Sequence, residues 1–231
     1  MSTLVITGWT SGLWKDLVKK FVAWWWHAVV LARDAEKWRA LQAELWADKV
    51  TYYPCDIRDK ESLTKVFSEI KEIDCLINNS GIGYWENTYE ETLEHIEDTI
   101  QTNLIGAMRC TRLALPTMIA KKAGVIINIG SIYSTRFRPG ASAYATSKAW
   151  LKMYTDVVRA EVREFGIKVL SIFPGAMKTP IREEEEIEKY GHMMMESADV
   201  AKVIFEAHNT ALTWVVQEDI FISPACGDVK F

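Results

Sequence analysis

A tyrosine and a lysine stand four residues apart in segment 142–149, which reads Ser-Ala-Tyr-Ala-Thr-Ser-Lys-Ala. In a helix this spacing places Tyr144 and Lys148 on one face, one turn apart. A phenol has an unperturbed pKa of about 10, and a neighbouring ammonium favours the phenolate. Tyr144 is therefore a candidate acid and base near neutral pH. The same spacing also occurs in ordinary surface pairs, so the case depends on the residues upstream.

Composition and charge are typical of one large globular domain spanning residues 1–231. The chain is 49% hydrophobic and 25% charged, which is enough to bury a sizeable core. The net charge is −4 and lysine and arginine are spread along the chain, so we expect neither nucleic acid nor a membrane as partner. No signal peptide is visible, and no apolar run approaches the roughly 18 residues of a membrane span. The predicted location is cytoplasmic.

The cysteines and histidines lack the spacing of a metal site. Cysteines stand far apart at positions 55, 75, 110 and 226, which favours buried, reduced thiols. The four histidines have no partner spacing for a metal or for a Ser-His pair, so a hydrolase would lack its base. We therefore predict no metal.

Short β-rich runs alternate with longer helical patterns along the whole chain. This order predicts an α/β fold of the Rossmann type, a doubly wound parallel sheet with helices on both faces. The predicted strands are 4–7, 28–32, 50–53, 75–78, 125–129, 169–173 and 220–222. The predicted helices are 13–25, 35–46, 60–71, 89–121, 144–165 and 197–208.

A glycine-containing loop, residues 7–14, follows the first strand and opens the first helix. Glycines there let the backbone approach a phosphate, and the helix N-terminus offers free N–H groups. The predicted dinucleotide contacts in this loop are Gly8, Thr10, Ser11, Gly12 and Leu13.

Arg33 closes the second strand and bears on the choice of cofactor. A guanidinium at this position can pair with a ribose 2′-phosphate, so the sequence favours NADP. Asp34 follows directly and would favour NAD if it faced the ribose instead. The third alternative is that both side chains cap the next helix.

Taken together, these motifs resemble the classical short-chain dehydrogenase/reductase family over nearly the whole chain. Segment 8–14 is similar to its Thr-Gly-x-x-x-Gly-x-Gly loop, and Asn78-Asn79-Ser80-Gly81 to its Asn-Asn-Ala-Gly element. Tyr144 and Lys148 match its Tyr-x-x-x-Lys pair, thirteen residues after a matching serine. The remaining matches are the adenine-contacting pair Asp56-Ile57, the asparagine Asn103, the serine Ser131, and the nicotinamide segment from Pro174-Gly175 to Thr179.

The resemblance implies an oxidoreductase that transfers a hydride between NADP(H) and a small or medium secondary alcohol or its carbonyl. In this interpretation Tyr144 exchanges the proton and Ser131 binds the reacting oxygen. Lys148 lowers the tyrosine pKa and binds the nicotinamide ribose, while Asn103 holds a water that relays protons. Cofactor contacts are implied for Arg33, Asp56, Ile57, Asn79, Gly81, Tyr144, Lys148, Pro174, Gly175 and Thr179.

Tryptophans in the N-terminal half depart from the family pattern. Trp14 occupies the position of the third loop glycine, where extra volume costs roughly 1–3 kcal/mol and can displace the phosphate cradle. Trp24, Trp25 and Trp26 stand at the end of the first helix, where a glycine stop is expected. The alternative function is therefore a noncatalytic dinucleotide-binding or interaction protein with a perturbed glycine loop.

Three loops are predicted to form the substrate pocket, namely 83–87, 132–138 and a lid at about 182–195. The lid contains four consecutive glutamates, 183–186, and three methionines, 193–195. The glutamates fit a solvated face and the methionines fit packing or adaptable contacts with a substrate. The family resemblance further implies a homo-oligomer, a dimer or tetramer, formed through the two longest helices.

Overall fold

The computed structural model describes residues 1–8, 12–42, 48–213 and 215–227, apart from the side chains of residues 37 and 40–42. Its described strands form one parallel sheet in the order β3-β2-β1-β4-β5-β6-β7. They are β1 Thr3–Thr7, β2 His27–Ala32, β3 Val50–Pro54, β4 Cys75–Asn78, β5 Gly124–Ile129, β6 Ile167–Pro174 and β7 Asp219–Ile222. All seven predicted strands are confirmed, because buried runs of branched side chains identify parallel strands clearly.

Helices connect the strands and cover both faces of the sheet. They are α1 Leu13–Ala23, α2 Ala35–Gln42, α3 Lys60–Glu69, α4 Leu93–Ile100, α5 Ala107–Lys121, α6 Ser142–Val162, α7 Glu184–Tyr190 and α8 Ser197–Ala211. The last part of predicted helix 35–46 lies outside the described residues. Helix α7 was not predicted, since its acidic sequence has no apolar stripe.

The predicted helix 89–121 is wrong as a single element. Helix α4 begins only at Leu93, with Thr92 accepting a hydrogen bond from the N–H of His95 at 3.1 Å. A π-helical turn, Gln101–Gly106, then separates α4 from α5. Such turns insert a residue into the helical ladder and often occur at functional sites. This turn holds Asn103.

Two apolar clusters cover the two faces of the sheet. One joins α1, α8 and Trp38 of α2 to alternate residues of the strands. The other joins α3, α5 and α6 to the opposite residues of the same strands. This is the doubly wound arrangement predicted from the sequence.

The sheet order creates a crevice at the carboxyl ends of β1 and β4. The chain leaves β1 toward β2 on one side, whereas β4 continues toward β5 on the other, and ligands bind at such a switch point. Thr7 ties the two strand ends together, because its Oγ1 accepts hydrogen bonds from the N–H groups of Asn79 and Ser80, each at 3.2 Å.

Candidate active site

A cleft of about 340 Å³ lies at the carboxyl ends of β4, β5 and β6. It brings together three of the four residues predicted to be catalytic, Ser131, Tyr144 and Lys148. Besides Tyr144 and Lys148, the same walls contain six further predicted cofactor contacts, which are Leu13, Asn79, Gly81, Pro174, Gly175 and Thr179. Residues from five separate parts of the chain therefore meet around one space.

Tyr144 and Ser131 face each other across this cleft. Ser131 lies just after β5, where its hydroxyl caps the 3-10 turn Ile132–Ser134 by accepting a hydrogen bond from the N–H of Tyr133 at 3.2 Å. Burial raises the pKa of Tyr144 above the usual phenol value, whereas a hydrogen bond with Ser131 and the charge of Arg182 act against that rise. The phenol is therefore held as a neutral proton donor.

Lys148 lies one helical turn beyond Tyr144 and is 3% exposed. Its ammonium donates a hydrogen bond to the carbonyl oxygen of Ile129 at 2.9 Å and lies 5.8 Å from the centre of the Tyr144 ring. Burial lowers its pKa to about 8. We expected from the sequence that the ammonium would lower the pKa of Tyr144, but burial has the largest effect on the pKa of both groups.

Asn103 belongs to the π-helical turn and is fully buried. Its Oδ1 accepts from the N–H of Ile82 at 2.8 Å, and its Nδ2 donates to the carbonyl of Ile82 at 2.8 Å and to Oγ of Ser147 at 3.0 Å. Ser147 in turn donates to the carbonyl of Tyr144 at 2.7 Å. Asn103 thus joins the loop after β4 to the helix that carries Tyr144 and Lys148.

A second, smaller cleft brings together the residues predicted for the adenosine half of the cofactor. Gly8, Arg33, Asp56 and Ile57 line it. A guanidinium nitrogen of Arg33 lies 3.9 Å from a carboxylate oxygen of Asp56. Burial opposes ionisation of Asp56, but hydrogen bonds from Arg58 outweigh it and lower the Asp56 pKa. Asp34 turns away to the start of α2, where its Oδ1 accepts from the N–H of Glu36 at 3.1 Å.

The described ends of the glycine loop lie at the two clefts, because Gly8 lines the smaller cleft and Leu13 the main one. A side chain at Gly8 would place its Cβ 2.4 Å from Nδ2 of Asn79, and Gly12, with φ of +78°, has Thr179 packed directly against it. Thr10 and Ser11, both predicted cofactor contacts, lie outside the described residues. Trp14 is fully buried and its ring packs edge-on to Trp38, with centres 6.4 Å apart. Its indole therefore occupies the core beneath the loop, and α1 still begins at Leu13.

Two residues that line the main cleft, Trp85 and Arg182, and two that contact them, Arg138 and Glu186, were not singled out in the sequence. Trp85 packs 5.2 Å from the ring of Tyr144, and its indole N–H donates to the carbonyl of Ile181 at 3.2 Å. Arg138 and Arg182 each place a guanidinium carbon 5.2 Å from the Trp85 ring. Both also bind Glu186, so the expectation that all four glutamates are solvated is wrong for this one. These residues lie in the three segments predicted to form the substrate pocket, 83–87, 132–138 and 182–195, but no sequence spacing indicated their contacts with one another.

The rest of segment 182–195 packs onto the chain that follows β6. Met194 is buried with Ala176, and the N–H of Met195 donates to the carbonyl of Ala176 at 2.9 Å. Within 182–195, which the structure describes throughout, Arg182 is the residue that lines the cleft. The methionines therefore pack locally.

Cysteine burial follows the prediction at three of four positions. Cys55, Cys75 and Cys110 are buried, but Cys226 is exposed, because it lies in a turn after β7 rather than under a helix. In the described part of the chain no group of histidine, cysteine or acidic side chains is arranged to hold a metal. None of the described helices is both long and apolar enough to cross a bilayer.

Comparison with known proteins identifies the family. The family described as short chain dehydrogenase matches residues 2–189. The chain belongs to the classical short-chain dehydrogenase/reductase family. It is 34% identical to the Bos taurus protein "Dehydrogenase/reductase SDR family member 7B" over 190 residues, which is 77% of this chain and 58% of that protein. The chain thus spans less than two thirds of the length of this relative.

Two further comparisons give one relative in sequence and one likeness in fold. "Serine 3-dehydrogenase" from Rhizobium radiobacter is 31% identical over 182 residues, covering 77% of this chain and 72% of that protein. Among solved structures, the closed form of a serine dehydrogenase complexed with NADP+ superimposes with a TM-score of 0.91 over 98% of this chain and 96% of that chain. Its sequence identity is 22%, so this likeness shows the shared fold.

Proposed function

We propose that the protein transfers a hydride between NADP(H) and a small or medium secondary alcohol or the corresponding ketone or aldehyde. The observation that carries this proposal is the meeting of Ser131, Tyr144 and Lys148 in one buried cleft. Residues 1–231 would act as one cofactor-binding and catalytic domain, with 182–195 as its substrate lid.

The described residues fit a dinucleotide. A side chain at Gly8 would meet the Asn79 amide, and one at Gly12 would meet Thr179 and require a left-handed backbone, so glycine suits both positions. Helix α1 begins directly after Gly12, and the first N–H groups of a helix lack partners within it. The positive end of the helix dipole would also stabilise a phosphate bound at this point. Leu13, Asn79, Gly81, Pro174, Gly175 and Thr179 would hold the nicotinamide half, and Gly8, Arg33, Asp56 and Ile57 the adenosine half.

The chain's own residues would manage the substrate oxygen and its proton. The nicotinamide ring, when bound, supplies or accepts the hydride. Tyr144 would donate its phenolic proton to the oxygen in reduction and remove it in oxidation. Ser131 would donate a hydrogen bond to the same oxygen and so stabilise its negative charge. Burial of both groups strengthens these interactions, since the local dielectric is low.

Lys148 and Asn103 would support this proton transfer. Lys148 has a pKa of about 8, so it is cationic at neutral pH and favours the phenolate after the proton has left. Asn103 holds the Ile82 loop against α6 through its three hydrogen bonds. The partners stand 21 and 44 positions away in the sequence, so contacts between distant segments satisfy this buried amide.

The central test removes only the reacting oxygen. Tyr144→Phe is expected to lower kcat/KM by about 10²- to 10⁴-fold, the usual contribution of a positioned acid and base. Tyr154→Phe is the matched control, because it removes a partly buried phenol from the same helix but outside the cleft. Both variants are assayed by nucleotide absorbance on a panel of secondary alcohols and carbonyls.

Each outcome of this test has a defined meaning. Equal activity of Tyr144→Phe and wild type would rule out the phenol as the acid. Failure of the wild type to turn over any panel member with NADPH or NADH would reject the reaction itself. Nucleotide binding without turnover would support the alternative, a noncatalytic dinucleotide-binding protein.

The preference for NADP rests on the positions of Arg33 and Asp34. Arg33 lines the adenosine cleft, whereas Asp34 caps α2, so the cationic side chain faces the proposed ribose site. The serine dehydrogenase complexed with NADP+, which has the same fold, supports the assignment of NADP. Arg33→Gln is expected to lower the NADPH preference over NADH by about 10- to 100-fold, since a hydrogen bond to a charged group contributes about 1.5–3 kcal/mol.

Fluorescence titration of both nucleotides measures this preference independently of turnover. Arg39→Gln is the control, because Arg39 is an exposed arginine in the same part of the chain and carries the same charge. A wild type that binds NADH more tightly than NADPH would contradict the assignment.

A further inference from the structure

We propose that Trp85 sets the upper limit on the size of the substrate, because its indole forms a fixed wall of the main cleft beside Tyr144. This inference rests on the proposed function and names a specificity-determining residue of that same site.

Trp85 lies against the group proposed to transfer the proton. It lines the main cleft, and its ring centre is 5.2 Å from that of Tyr144. The two rings adjoin at Gly83, where an added Cβ would lie 3.0 Å from Cδ2 of Tyr144 and 3.3 Å from Cζ2 of Trp85. The indole therefore bounds the space next to the phenol.

Three contacts hold the indole in place. Its N–H donates a hydrogen bond to the carbonyl of Ile181 at 3.2 Å. The guanidinium carbons of Arg138 and Arg182 each lie 5.2 Å from the ring, and both arginines bind Glu186. Because a hydrogen bond and two cations fix the ring, turning it out of the cleft would break contacts with two other segments of the chain.

The residues on either side of Trp85 tie its loop to α4. Tyr84 stacks on His95, with ring centres 3.7 Å apart and planes 3° from parallel. Nδ1 of His95 lies 2.9 Å from a carboxylate oxygen of Glu86. Outward movement of the loop would therefore break these contacts as well, so the wall is fixed through both its side chain and its neighbours.

The cleft leaves little room for a large substrate. Its volume of about 340 Å³ is near the lower end of the roughly 300–1,000 Å³ of ligand pockets. The proposed nicotinamide contacts, among them Leu13 and Gly175, line the same space, so the substrate must share it. A group too large for the remaining space would have to displace a fixed ring, which is unfavourable for the same reason as overpacking a core.

The test lengthens both groups of a symmetrical ketone together, so that one of them always faces Trp85. The series is propan-2-one, pentan-3-one, heptan-4-one and nonan-5-one, each reduced with NADPH. Wild-type kcat/KM is expected to fall by about tenfold or more at one step of this series, as in an apolar pocket that discriminates between chain lengths. A kcat/KM that stays constant or rises along the whole series would overturn the inference.

Variants of Trp85 locate the limit. Trp85→Ala is expected to raise kcat/KM for the excluded ketones, relative to propan-2-one, by about tenfold or more, and Trp85→Phe to raise it less. Trp24→Ala removes an indole that is 65% exposed at the end of α1, and it is expected to keep the wild-type limit. An unchanged limit in Trp85→Ala would assign the size restriction to another wall of the cleft and reject the role of Trp85.

A purely structural role for Trp85 gives a different result. If the indole only positions Tyr144, Trp85→Ala loses activity on all four ketones by the same factor, and that result also rejects the inference. Titration of NADPH by its own fluorescence accompanies each assay, so weaker cofactor binding is recognised separately. If Trp85→Ala does not fold, the size limit of Trp85→Phe decides the question, and an unchanged limit there overturns the inference.

The measurements separate failure of this inference from failure of the proposed function. Tyr144-dependent turnover with the same size limit in wild type and Trp85→Ala would reject only the role of Trp85. Absence of turnover on every alcohol and carbonyl tested, in wild type and variant alike, would reject the proposed function and this inference with it.

Discussion

At the scale of single residues, the proposed active site holds two ionisable groups in surroundings that oppose their charges. Burial raises the pKa of Tyr144 and lowers that of Lys148 to about 8. The ammonium has one described hydrogen bond, to the carbonyl of Ile129. A buried cation with so few partners destabilises the folded chain, so we expect activity and stability to conflict at this position.

Lys148→Met is therefore expected to abolish turnover and to stabilise the protein at pH 7 by about 1–3 kcal/mol, the range set by the pKa difference less the lost hydrogen bond. The unfolded chain binds the lysine proton up to a pH of about 10.5, and the folded chain only to about 8. Between these values the unfolded state carries more protons, so wild-type stability rises with pH. The advantage of the variant should shrink across the same window.

Urea unfolding from pH 7 to pH 10 measures this effect. Lys152→Met is the control on the same helix, because hydrogen bonds and the charges of Asp156 and Asp219 raise the Lys152 pKa. Its removal is expected to lower stability instead. A Lys148→Met variant less stable than wild type at pH 7 would show that the ammonium has stabilising partners.

At the scale of elements, the end of α1 departs from its expected chemistry. The N–H of Trp25 donates to the carbonyl of Val22 at 3.1 Å and that of Trp26 to the carbonyl of Phe21 at 3.2 Å, which together form a Schellman motif. The central position of this motif has φ of +65°, and Trp25 occupies it. Trp25, in a left-handed conformation, thus occupies the position at which a glycine is expected to end the helix.

Replacing Trp25 separates backbone strain from loss of the ring. Trp25→Gly and Trp25→Ala both remove the indole and its contact with Lys49, but only glycine relieves the left-handed backbone. Trp25→Gly is therefore expected to be more stable than Trp25→Ala by about 1 kcal/mol. Thermal unfolding measures the difference.

Trp24 provides the reverse comparison. The φ of Trp24 is −100°, which any residue adopts, so we expect Trp24→Ala to be more stable than Trp24→Gly. A Trp25→Ala variant as stable as Trp25→Gly would show that the backbone there relaxes without cost.

At the scale of the whole molecule, α6 serves both the cleft and the outer surface. Its inner face carries Tyr144 and Lys148, while Trp150, Met153 and Val157 expose between 48% and 64% of their area on its outer face. Apolar side chains three and four residues apart form a stripe that a partner helix can cover. This stripe supports the predicted homo-oligomer.

We therefore expect sedimentation to give a mass above the 26.4 kDa of one chain. The double variant Trp150→Glu with Met153→Glu should shift the protein toward the monomer, because it places charges in the proposed contact. Leu212→Glu changes an equally exposed apolar residue at the end of α8 and should leave the mass unchanged. A wild type that sediments as a monomer would reject the prediction.

Local sequence patterns were sufficient to predict the strands of the sheet and to single out Ser131 and Tyr144. The strands were found because each is a short run rich in apolar side chains, Tyr144 because Lys148 stands four residues after it, and Ser131 because it matches a family motif. The break in helix 89–121 was missed, because the π-helical turn contacts distant parts of the chain. Asn103 accepts a hydrogen bond from Ile82, and the Ile57 side chain packs against the backbone at Gly106. Neither contact joins residues at a regular sequence spacing, so no periodic pattern indicates the turn.

The order of motifs along the chain determined the family, the doubly wound sheet and the candidate acid-base pair. These features can be recognised in the sequence because hydrophobic periodicity and glycine positions are patterns of a few neighbouring residues. Only the tertiary structure decided the rest. Burial lowered the pKa of Lys148, folding placed Arg33 and Asp56 in the smaller cleft, and Trp85 came into contact with both Tyr144 and Arg182. These features depend on contacts between distant segments, whose energies exist only once the chain has folded.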